Sequence, residues 1–168
     1  LHYYLADLLF GYDSIRPLNH LKDGLSLSRK IKDNYQIAVY DYWRGSFLAR
    51  TSHYERSLPY LDTALLFFNK HAEEYKEDEK LQEYVRLTKA NLLNEYATAY
   101  MGLYQYEKAI SSYLQGAEQW LGASPTYKKR DEAIGITYGN IAGSYRQIGQ
   151  FENALKYCYM SIPYRLRD

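Results

Sequence analysis

Three stretches of the chain place small, aromatic and aliphatic residues in one register. They are GSFLARTSHYERSLPYLDTAL from Gly45, ATAYMGLYQYEKAISSYLQGA from Ala97 and AGSYRQIGQFENALKYCYMSI from Ala142. Each opens on a small residue (Gly45, Ala97, Ala142), with Leu48, Tyr100 or Tyr145 three places on and an aromatic (Tyr54, Tyr106, Phe151) nine places on. A second small residue follows at Ser57, Ala109 and Ala154, and an aliphatic comes next at Leu58, Ile110 and Leu155. Leu61, Tyr113 and Cys158 then precede a third small residue at Ala64, Gly116 and Ser161. Spacings of three and four are helical, and Thr51-Ser52-His53 and Gly149-Gln150 interrupt them. The unit is therefore two antiparallel helices joined by a tight turn. The first two small residues belong where those helices touch, since close approach needs small side chains. The aromatic is expected to plug the open end of the hairpin, and the third small residue to admit the next hairpin.

A fainter copy lies at the N-terminus, where Leu8, Leu18, Leu21, Gly24 and Leu25 fill the classes around Pro17. Leu5 stands there in place of a small residue and Ser14 in place of the aromatic. Ser14 is expected to cap its helix and put Pro17 in the first turn. The predicted helices are 1–11, 15–31, 34–51, 54–75, 79–103, 106–121, 127–148 and 151–165. The expected fold is all-α, an α-solenoid of about four stacked antiparallel hairpins. The repeats span about 1–33, 34–78, 79–124 and 127–168 of a single domain, 1–168. The four prolines, Pro17, Pro59, Pro125 and Pro163, are expected near helix ends.

The pattern resembles the tetratricopeptide repeat, and GQFENALKYCYMSI is the segment that matches it best. The offsets of 40, 52 and 45 residues between copies exceed that family's repeat of roughly 34. Longer helices or larger links are thus expected. Stretched, tyrosine-rich repeats are similar to those of bacterial signalling proteins, in arrays ahead of histidine kinases and in receptors for peptide pheromones. The resemblance implies a superhelix that binds a protein or peptide as the sensor or interaction region of a larger bacterial signalling protein. The alternative is a structural scaffold or assembly adaptor with no signalling role. Because the first residue is Leu1, the chain reads as a piece of a longer protein.

Composition adds mainly exclusions. Lys+Arg 21 against Asp+Glu 20 does not mark the whole chain as a nucleic-acid binder, and no apolar run suggests membrane contact in this segment. One cysteine, Cys158, permits no internal disulfide; that suits a reducing cytosol and leaves the bacterial periplasm open. Its repeat class is bulky and apolar, so a packed core thiol is expected. His2, His20, His53 and His71 lack metal-ligand spacing. Gly139, Gly143 and Gly149 are assigned to hairpin contacts and a turn. No catalytic constellation or cofactor motif stands out, and a non-enzyme without cofactors is expected. Tyrosine is abundant, 21 of 168 residues, and its helical spacing suits faces half buried and half wet.

The first helix of each hairpin is expected to line the concave side of such a stack. The groove candidates are Tyr42, Trp43, Ser46 and Arg50, then Asn94, Thr98 and Met101, then Asn140, Arg146 and Gln147. Amide and guanidinium groups beside aromatics suit an extended peptide. The Lys and Asn clamp that grips chaperone C-termini in related repeats is missing at Tyr42, Ser46, Thr98, Gly139 and Gly143. The last predicted helix carries Phe151, Leu155, Tyr157, Cys158, Tyr159 and Ile162, apolar on more than one side. Its outer face is expected to be open, with self-association through the C-terminal hairpin as one consequence.

Overall fold

The computed structural model describes residues 16–75 and 77–165. The predicted helix 1–11, with Leu5, Leu8 and Ser14, lies outside them. Among the described residues the fold is all-α: α1 (Arg16–Lys30), α2 (Asn34–Arg50), α3 (Tyr54–Lys70), a 3-10 turn (Ala72–Tyr75), α4 (Glu79–Gly102), α5 (Tyr106–Leu121), α6 (Arg130–Gln147) and α7 (Phe151–Arg165). The chain divides into two compact units, Leu1–His71 and Ala72–Asp168. In the first, α1 packs on α2 and α2 pairs with α3; in the second, α4 pairs with α5, α5 packs on α6 and α6 pairs with α7.

Three hairpin turns repeat one another bond for bond. Ser52, Tyr104 and Gly149 occupy the same register and all take the left-handed conformation, with φ 63°, 60° and 75°. The next residue's N–H reaches back five residues in each case: His53 to the Leu48 carbonyl (2.8 Å), Gln105 to Tyr100 (2.8 Å) and Gln150 to Tyr145 (3.0 Å). Each left-handed residue also donates to the carbonyl three before it, at Ala49, Met101 and Arg146. These bonds satisfy the last carbonyls of the first helix and turn the chain back along it. The side-chain register read from the sequence is therefore also a backbone register.

The stretched repeat has two causes. Helix α4 runs 24 residues, about 36 Å, and is capped by Asp78, whose carboxylate accepts from Lys80 N–H and Leu81 N–H. The links 71–78 and 122–129 supply the rest. Helix α3 stops at Lys70 rather than running to 75, because the chain passes into the 3-10 turn. Helix α6 starts at Arg130 rather than 127, because Ser124–Tyr127 and Tyr127–Arg130 close successive turns first. That link is tied down: Ser124 N–H donates to Glu83 Oε1 (2.7 Å), Arg86 donates to the Gly122 carbonyl, and Arg130 donates to the Leu121 carbonyl (3.0 Å).

The small residues pack closely, though not always against the expected neighbour. Ala97 and Ala109 are both fully buried in the second unit's core, with Tyr113, Ala117, Trp120, Ile134, Tyr138 and Ile141. A Cβ on Gly45 would lie 2.6 Å from Leu61 Cδ2, so the first hairpin closes on Leu61. Gly116 faces Ala90, Leu93 and Asn94 of α4; this third small residue serves its own hairpin, not the next. Gly143 has open space where a Cβ would stand and is no hairpin contact. Pro59 and Pro163 lie inside α3 and α7, where each forgoes one helical hydrogen bond. Tyrosines also pack on one another: half-buried Tyr145 stacks on half-buried Tyr157 at 5.6 Å, and the buried Tyr138 lies 5.9 Å from both Tyr157 and Tyr164.

Candidate functional site

The ten groove candidates divide by what surrounds them. In the first unit Tyr42 is buried, Trp43 half-buried with its ring 5.2 Å from that of Tyr42, and Ser46 fully buried. Arg50 is exposed at the end of α2. In the second unit three candidates are packing groups. The Asn94 amide donates to Thr137 Oγ1 of α6 (3.3 Å). Ser144 of α6 donates to the Met101 sulfur (3.1 Å). Thr98 donates to the Asn94 carbonyl (3.0 Å) and hydrogen-bonds the Tyr113 phenol. Asn94 and Met101 thus join the first helices of two successive hairpins, while Asn140, Arg146 and Gln147 remain exposed on α6. The exposed polar candidates are this α6 trio in the second unit and, in the first unit, Arg50.

Helix α7 presents a different surface. Phe151, Leu155, Tyr159 and Ile162 are 69%, 55%, 63% and 45% exposed, and Cys158 is exposed among them. Spacings of four, four and three place them along one side of the helix. Leu155, Cys158 and Ile162 share their repeat classes with Ile110, Tyr113 and Ala117 of α5, which are 6%, 5% and 3% exposed, whereas the counterparts of Phe151 and Tyr159 are the half-buried Tyr106 and the exposed Leu114. The difference lies in the covering helix: α6 packs on α5, closing Ile134, Tyr138 and Ile141 over it. Cys158 therefore sits at a core position of the repeat and is not a core thiol here, because no described helix covers it. The sequence already marked this stripe as open.

Burial also shifts ionisable groups that lie away from α7. Burial pushes the Asp41 carboxyl above its ordinary range, while Arg29 and Arg44 pull the other way. Burial likewise raises the Tyr113 phenol, against the Thr98 hydrogen bond. Among the described residues no group of three His, Cys, Asp or Glu side chains has metal-binding geometry, and no helix is long and apolar enough to cross a membrane.

No protein-family model matches the chain, and no curated protein matches it. The architecture therefore stands on its own geometry: an all-α chain of helical hairpins, three of them built on one turn. Such a chain is consistent with an interaction scaffold.

Proposed function

We propose that this chain is a non-catalytic protein-binding repeat module that receives an amphipathic helix of a partner protein along α7. The observation that carries the reading is the exposed stripe Phe151–Leu155–Cys158–Ile162, whose last three members share repeat classes with the buried Ile110, Tyr113 and Ala117 of α5. Burying a large apolar side chain contributes roughly 1.5–3 kcal/mol. Several aligned on one helix make a docking surface, where a single exposed leucine does not. The exposed α6 trio Asn140, Arg146 and Gln147 offers polar contacts to a peptide in the same unit. Service as the sensor or interaction region of a larger bacterial signalling protein is supported by the stretched, tyrosine-rich repeats. Reading the gene for kinase or DNA-binding segments in the same frame tests that part.

The binding surface is tested by Leu155→Glu and Arg146→Ala, each checked by circular dichroism and then compared with the parent for partner capture and apolar-dye binding. Leu155→Glu is expected to keep the helical spectrum, lose dye binding and lose the partner. Arg146→Ala is expected to keep the fold and weaken capture only where the partner also touches α6. A Leu155→Glu chain that captures the same partner as strongly as the parent refutes the α7 surface.

A further inference from the structure

The first unit carries a concentration of positive charge that neither the hairpin packing nor the α7 surface uses. Lys22, Ser26, Arg29 and Lys30 recur along α1 at spacings that place them on one face. With Leu25 and with Arg44 of α2, they line a cleft of about 510 Å³, within the size range of small-molecule sites, roughly 300–1,000 Å³. The Arg44 guanidinium lies over the Tyr60 ring, 4.4 Å from its centroid, which holds it in place from the α3 side. The buried Asp41 carboxylate attracts Arg29 and Arg44. Among the described residues neither Lys22 nor Lys30 has an ion-pair partner.

Four cations thus border one cleft in a chain whose net charge is only +1. Arg29 and Lys30 in the last turn of α1 also favour that helix's own carbonyl end. That accounts for neither Lys22, two turns earlier, nor Arg44 on another helix. We propose that the cleft between α1 and α2 binds a small diphosphate-bearing anion. Two guanidinium forks and two ammonium groups exceed what the Asp41 carboxylate can satisfy. Two adjacent phosphoryl groups supply the charge and the acceptor oxygens that such a set takes.

The test is calorimetric titration of the whole chain with inorganic pyrophosphate. Sulfate and a hexaglutamate peptide serve as comparison probes, at low and at raised salt. Saturable pyrophosphate binding that weakens with salt is expected, tighter than sulfate. The double variant Lys22→Ala/Lys30→Ala changes two exposed side chains, so it should keep the parent's melting curve while losing about tenfold or more in affinity. Asp41→Asn should bind pyrophosphate more tightly, because the carboxylate that competes for Arg29 and Arg44 is gone. Three results overturn the proposal: pyrophosphate held no tighter than sulfate, hexaglutamate bound in preference to pyrophosphate, or affinity unchanged in the double variant.

Discussion

Gly45→Ala and Gly143→Ala make the same substitution inside two first helices of the repeat, and the structure assigns them opposite signs. Replacing a helix-interior glycine by alanine ordinarily stabilises by roughly 0.5–1 kcal/mol, because the unfolded chain loses freedom. At Gly143 nothing lies within 4 Å of the new Cβ, so that gain should appear undiminished. At Gly45 the Cβ would stand 2.6 Å from Leu61 Cδ2 and 3.2 Å from the Leu61 backbone nitrogen. Leu61 is itself fully buried, and a backbone atom cannot rotate aside. The helices of the first hairpin must part, at a cost of roughly 1–3 kcal/mol from overpacking. Subtracting the glycine gain leaves Gly45→Ala about 1 kcal/mol less stable than the parent, and the two variants roughly 2 kcal/mol apart. Urea unfolding followed by circular dichroism measures both, and equal m-values confirm that the native state is compared with the same unfolded state. If Gly45→Ala stabilises as Gly143→Ala does, the close approach of α2 and α3 at Leu61 is wrong.

The left-handed turns give a backbone test. Gly149→Ala meets no atom within 4 Å, so its expected loss of roughly 1–2 kcal/mol is conformational alone; Ser52→Gly, at φ 63°, should give a smaller gain in the same melts. Ala97→Leu, at a fully buried contact, should destabilise by roughly 1–3 kcal/mol, and parent-like melting would put the second hairpin out of register. Asp41 gives a pH test. Its folded carboxyl is raised above 3.8, so folding is favoured below that value and loses this contribution as pH rises through the folded one. Asp41→Asn should therefore melt above the parent at neutral pH, and the difference should shrink as the pH falls through the raised folded value towards 3.8 and level off below it; a constant difference refutes the burial argument. Leu155→Glu should abolish any concentration dependence of the sedimentation mass, whereas a parent that is monomeric throughout excludes pairing through α7.

Local chemistry was enough to place the helices. Capping by Asp33 and Asp78, helical spacing of apolar residues and the turns at Ser52, Tyr104 and Gly149 involve neighbours within about five residues. Such interactions act in any context, so the described helices begin and end close to their predicted limits, except that α3 stops five residues early and α6 starts three residues late. The repeat register was equally legible, because small and aromatic residues recur at fixed distances from those turns. Which face of each helix is covered was not. Asn94, Thr98 and Met101 have the polar or flexible side chains of a binding groove, yet Thr137, Tyr113 and Ser144 engage them from other helices. Gly116 answers to α4 rather than to a following hairpin, because the crossing of two helices decides which small residue meets the other backbone. Cys158 and Tyr113 share one repeat class, and only the presence of α6 over Tyr113 separates a buried phenol from an exposed thiol. The periodicity of one helix states which side is apolar; the identity of what lies against that side is a property of the packed chain. Secondary structure and register were therefore determined by the sequence itself, while the line between core and open surface was decided only by the tertiary structure.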